Sequence, residues 1–138
     1  VNPGHDNVAS LVSYLKATAN NLLEDSDVNF QLSFPGNEIA TTIHPEIKRN
    51  IYLVMKEAIN NSLKYANAKN INVIFQVEQK KFKLEIADDG DGFNIETIEK
   101  TGNGLVNMQQ RMAQHHNTLQ IISSPAKGCR IIAEGELI

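Results

Sequence analysis

Residues 50–66 contain neither proline nor glycine, and their apolar positions follow a helical step. Ile51, Met55, Ala58, Ile59, Ser62, Leu63 and Ala66 fall on one broad arc, the pattern of a helix with one face in a core. The opposite side is unusual. Glu57 and Asn61 are four apart and share a stripe, with Lys64 three further on and Leu53, Val54 and Tyr65 flanking it. A helix apolar on both flanks of an acid–amide pair has a second, semi-buried face. Polar groups there need partners, and a ligand would supply them.

The rest of the chain alternates between two periods. Val8, Leu11, Val12, Leu15, Ala19, Leu22 and Leu23 repeat at helical spacing over 7–24, with Asp6 or Asn7 as N-cap. Residues 28–34 alternate, with Phe30, Leu32 and Phe34 on one face, and Pro35-Gly36 stops them: a strand. Residues 37–44 read as a loop, Pro45 as the first turn of the central helix, and Asn67 or Asn70 as its left-handed cap. Two strands follow, 71–77 and 81–87, the second turning Phe82, Leu84 and Ile86 inward and Lys83 and Glu85 outward. Residues 94–103 are polar, 104–115 return to helical spacing with Leu105, Met108 and Met112, and 118–124 and 129–137 are two more strands. This order predicts an α+β fold, a two-layer α/β sandwich with helices on one face of a mixed sheet.

Composition narrows the function classes. A chain of 138 residues is one domain, long enough to bury about 68% of its unfolded surface. The net charge of −3, without a basic stripe or tryptophan, argues against nucleic acid as a partner. The single cysteine, Cys129, rules out an internal disulfide and suits a reducing cytosol. No apolar run has the length of a membrane span, so direct membrane contact is not expected. The chain opens on Val1, and residues 1–6, with Pro3 and Gly4, read as a linker stub from a larger protein; residues 7–138 read as the domain.

Four constellations can carry chemistry. Asn61 offers a neutral amide oxygen of the kind Mg²⁺ accepts, and Glu57, one turn away, offers a carboxylate that can accept or orient a proton. The blander account of the pair is a solvated helix face. Asp88 continues the inward parity of Phe82, Leu84 and Ile86, which suits a carboxylate accepting from an exocyclic amine such as that of adenine; it can equally cap its own turn. Gly90 and Gly92 let a planar base approach the backbone. Calcium-loop spacing does not fit Asp88 or Asp89. Gly102-Asn103-Gly104-Leu105 opens a helix, where bare amides favour phosphate, behind a polar stretch long enough to be a lid that includes Lys100. Gly128-Cys129 opens the last strand and first of all marks a tight turn. The histidines lack acidic partners at metal or triad spacing, and no Walker-type loop occurs.

Taken in order, Glu57-x-x-x-Asn61, Asp88-x-Gly90-x-Gly92-Phe93, Gly102-x-Gly104-Leu105 and Gly128-Cys129 resemble the N, G1, G2 and last glycine boxes of the GHKL ATPases, which share the Bergerat fold. Within them, Lys56–Tyr65 and Gly102–Arg111 look most like the catalytic ATP-binding domain of bacterial two-component sensor histidine kinases. The resemblance covers residues 46–138 and, more loosely, the first helix. It implies ATP and Mg²⁺ as cofactors, with Asn61 on the metal, Asp88 on the adenine amine, and Gly90, Gly92, Gly102, Gly104 and Leu105 shaping pocket and lid. Lys64 and Tyr65 would lie near phosphates or ribose, and Glu57 would polarise the attacking histidine of a separate dimerisation domain. A response regulator would be the downstream partner, and the domain would be the cytoplasmic part of a membrane-anchored sensor.

Three departures from that pattern stand out. Cys129 replaces a common threonine at the adenine edge, and His116-Asn117 replaces small glycine-rich residues. No phosphoacceptor helix is present; His5-Asp6 mimics its motif, but follows Pro3-Gly4 and precedes no long bundle helix. An anti-sigma-factor-type serine kinase shares the same boxes and differs in its partner. A non-catalytic nucleotide sensor is opposed by the intact Glu57, Asn61 and Asp88.

Overall fold

The computed structural model describes residues 6–36, 39–92 and 104–138. Helix α1 (Val8–Glu24) begins where the Asn7 side chain accepts a hydrogen bond from the Ser10 amide at 2.8 Å. It buries Val8, Leu11, Val12, Leu15, Ala19 and Leu23, the stripe its spacing predicts. Strand β1 (Asn29–Ser33) leads to helix α2 (Pro45–Tyr65). His44, expected in a loop, is the N-cap of α2: its Nδ1 accepts from the Glu46 amide at 3.1 Å. Pro45 takes the first turn, where a missing N–H costs nothing. Beyond the C-cap Ala66, Asn67 adopts φ 53°, a conformation that asparagine tolerates better than most residues.

Strands β2 (Asn70–Glu78) and β3 (Lys81–Asp88) form a hairpin, then helix α3 (Gly104–Ala113) precedes β4 (Thr118–Ser123) and β5 (Cys129–Glu136). The sheet order is β1-β2-β3-β5-β4. β1 runs parallel to β2, and the other three pairings are antiparallel. β1 is shorter than its alternation suggests because its pairing runs only from Asn29–Asn70 to Ser33–Ile74.

One face of the sheet carries Ile71, Val73, Phe75, Phe82, Leu84, Ile86, Ile131 and Ala133, all buried, and they share one core with the buried stripes of the helices. Each large side chain taken out of water contributes about 1.5–3 kcal/mol, so this face fixes strand register: a one-residue slip would turn it to solvent. The result is the two-layer α+β sandwich that the pattern predicts.

A strap closes the front of the helical layer. Val8 N donates to Thr41 O and Ala9 N to Ile39 O, both at 2.9 Å, and Ile43 N donates to Asp6 O at 3.1 Å. Lys48 of α2 reaches Asp6 at 3.6 Å and donates to Ser10 Oγ at 3.1 Å. Among the described residues, no helix is long and apolar enough to cross a membrane.

Candidate functional site

Asp88 is the last residue of β3, and strand parity turns it toward the helices. Its carboxylate is held from two sides: Oδ2 accepts from Ser62 Oγ at 2.6 Å and Oδ1 from the Gly90 amide at 2.9 Å. An ionised carboxylate can accept about four hydrogen bonds, so both oxygens retain capacity for a ligand. Ser62 follows Asn61 on α2, so the end of β3 meets the C-terminal third of the central helix.

Asp89 does something else. It accepts from the Lys69 and Asn70 amides and from Asn70 Nδ2, each at 2.8 Å. The Asn70 side chain, then the two amides, hold its carboxyl down at about 2. It is a surface staple across the start of β2.

The loop after Asp89 is pressed against its neighbours. Asp91 N donates to Ala66 O at 2.6 Å, and Ala126 N donates to Asp91 O at 2.5 Å. A Cβ on Gly90 would stand 2.1 Å from the Ala66 carbonyl oxygen, so the first demand for glycine here is protein packing. Gly128 has φ +73°, and a Cβ there would stand 2.3 Å from the Asp88 carbonyl oxygen. It lets β5 return beside Asp88, opposite which Cys129 pairs in register. Burial, then the charge of Asp88, pushes the Cys129 thiol up to about 12, against the pull of Ser123. It is a neutral side chain rather than a nucleophile.

On α2, Glu57 and Asn61 are both partly buried. Helix α3 begins against the first of them: a Cβ on Gly104 would lie 2.7 Å from Glu57 Oε1. Asn61 Nδ2 is buried and has no partner among the described residues. Leu105 is buried in the core at the start of α3, while Lys64 is exposed. Gly102, Phe93, Lys100 and the polar stretch 94–103 lie outside the described residues, as does the side chain of Tyr65. The structure thus gathers Asp88, Gly90, Gly92, Gly128 and Cys129 at one end of the sheet, against the end of α2.

Two residues escaped the sequence reading. Ser62 fell on the apolar arc, and nothing in periodicity says that an aspartate lies across from it. Asn50 is fully buried, with both amide atoms unpartnered among the described residues. Its signal was available, since it precedes Glu57 by seven and so lies on the Glu57–Asn61 stripe. A separate groove of about 260 Å³, lined by Leu11, Tyr14, Pro45, Lys48, Arg49 and Tyr52, lies between α1 and α2 and shares no residue with this site.

A two-layer sandwich with an inward aspartate and a polar helix stripe at one end of the sheet has known relatives. Residues 46–136 match the family described as histidine kinase-, DNA gyrase B-, and HSP90-like ATPase, and the chain belongs to that family. Similar proteins include the sensor histidine kinase LiaS of Bacillus subtilis, 24% identical over 91 residues, covering 66% of this chain and 25% of LiaS. The sensor protein VraS of Staphylococcus haemolyticus is 32% identical over 91 residues, covering 66% of this chain and 26% of VraS. The chain therefore spans about a quarter of the length of these relatives. Among solved structures, the blue-light activated histidine kinase of Erythrobacter litoralis EL346 superposes with a TM-score of 0.74 at 15% identity, over 92% of this chain and 42% of that one. The Acinetobacter baumannii histidine kinase AdeS gives 0.67 at 21%, over 95% and 65%. At these identities the likeness is one of fold.

Proposed function

We propose that this chain binds Mg-ATP and delivers its γ-phosphoryl group to a histidine on a separate dimerisation domain, as the catalytic part of a two-component sensor. The observation that carries this is the Asp88 carboxylate. It is oriented by Ser62 and Gly90 and keeps acceptor capacity beside the helix that bears Asn61 and Glu57. Asp88 accepts from the adenine amine, with Cys129 at the edge of the base. Family membership and the sensor kinases among the relatives support the same reading.

The metal test is chemical. Among the described residues, no group of three or more His, Cys, Asp or Glu side chains could hold a cation alone. Mg²⁺ does not require such a cage, since it commonly takes one or two protein oxygens and completes its shell with phosphate and water. Asn61 Nδ2 is buried without a hydrogen-bond partner among the described residues, and the amide's oxygen and nitrogen exchange places by a simple flip, so the side chain fits that role. Bound there, the ion would neutralise phosphate charge. Glu57 polarises the attacking imidazole by accepting or orienting its proton. Gly102, Gly104, Leu105, Lys64 and Tyr65 belong to the phosphate and ribose side. The larger protein places this domain in the cytoplasm and passes the phosphoryl group on to a response regulator.

Calorimetric titration tests the core of this proposal. The chain binds ATP, and Asp88→Asn, which turns one acceptor into a donor, abolishes binding while leaving the thermal transition cooperative. Unchanged affinity in that variant removes the adenine assignment.

A further inference from the structure

We propose that Ser62 is a positioning residue for base recognition, acting through Asp88; the inference rests on the assignment of Asp88 to the purine amine. Ser62 is 6% exposed, near the end of α2, and its hydroxyl donates to Asp88 Oδ2 at 2.6 Å. A bond this short to an ionised acceptor belongs to the charge-assisted class. The Gly90 amide donates to the other oxygen at 2.9 Å. Two donors from different elements, one on a helix and one on a loop, fix the plane of the carboxylate.

A serine has one proton to give. Ser62 gives it to Asp88, so it is not available to a ligand oxygen. The base therefore meets a carboxylate of fixed orientation whose remaining lone pairs only accept. An amino purine satisfies it. A purine with a carbonyl in the same place sets oxygen against oxygen. Ser62 also adjoins Asn61, so one turn of α2 sets the base-reading carboxylate and the phosphate-side amide together. Without the hydroxyl, Oδ2 loses its buried donor and the Gly90 amide alone holds the carboxylate toward the amine.

The test compares ATP with inosine triphosphate, which carries oxygen in place of the exocyclic amine. Both are titrated into the wild-type chain, Ser62→Ala, Ser62→Thr and Asp88→Asn, with thermal melts of each. Ser62→Ala should weaken ATP about tenfold, the effect of one buried group losing its donor, and leave inosine triphosphate unchanged. Ser62→Thr, which keeps the hydroxyl, should keep the wild-type preference. A purely structural role for Ser62 would weaken both nucleotides together. If Ser62→Ala retains the wild-type ratio of the two affinities while Asp88→Asn loses ATP binding, Ser62 is not the positioning group, and the role of Asp88 stands. If Asp88→Asn keeps the wild-type affinity for ATP, the assignment of Asp88 fails and takes this inference with it.

Discussion

Asp88 and Asp89 are neighbours of identical chemistry, separated by the pleat of one strand. The first points toward the helices, where Ser62 and Gly90 hold both its oxygens; the second ties down the start of β2. Asn50 raises the converse issue, a polar side chain in the core with no partner among the described residues. Leaving such a group buried costs about 1–3 kcal/mol, whereas an apolar side chain of similar size is free of that penalty. Asn50→Leu should therefore raise the unfolding free energy by about that amount, seen as a higher urea midpoint at unchanged slope. A lower midpoint would show that the amide is satisfied in solution, by a buried water for example.

At the scale of elements, helix α2 is the common support: it packs against α1 and α3, receives Ala66–Asp91 at its end, and meets Asp88 through Ser62. The turn before β5 is the second support. Its Gly128 combines positive φ with a carbonyl 2.3 Å from any Cβ. Gly128→Ala should cost about 1–3 kcal/mol in backbone strain and, by displacing Asp88, weaken ATP binding. Melting and titration of that variant decide the matter; parent-like values in both would mean that the turn yields without moving Asp88. Much of this was legible beforehand. The face of α2 and the inward direction of Asp88 follow from local periods, and the hairpin from turn residues. The parallel neighbourhood of β1 and β2 was not, because it joins strands on either side of a 21-residue helix and no local signal encodes it. The capping role of His44 was hidden because imidazole is not among the favoured N-caps. The His116-Asn117 departure has a structural counterpart: His116 takes φ 59° itself, and Asn117 Oδ1 accepts from the Glu136 amide at 3.2 Å.

For the whole molecule, the question is what the chain can do alone. It spans about a quarter of its relatives, and the proposed phosphoacceptor lies on another domain. Supplied with a histidine-bearing dimerisation domain and ATP, the wild-type chain should phosphorylate it. Glu57→Gln should bind ATP normally yet transfer about a hundredfold more slowly, the loss expected when a positioned proton acceptor is removed. Normal single-turnover rates for that variant would take Glu57 out of the chemistry. The strap ties the starts of α1 and α2 together. Backbone bonds from 39–43 and the Lys48 contact weld Asp6, the start of α1 and the front of α2 into one rigid corner. Displacing Asp6 would therefore pull on both helices at once, including the one that carries Glu57 and Asn61.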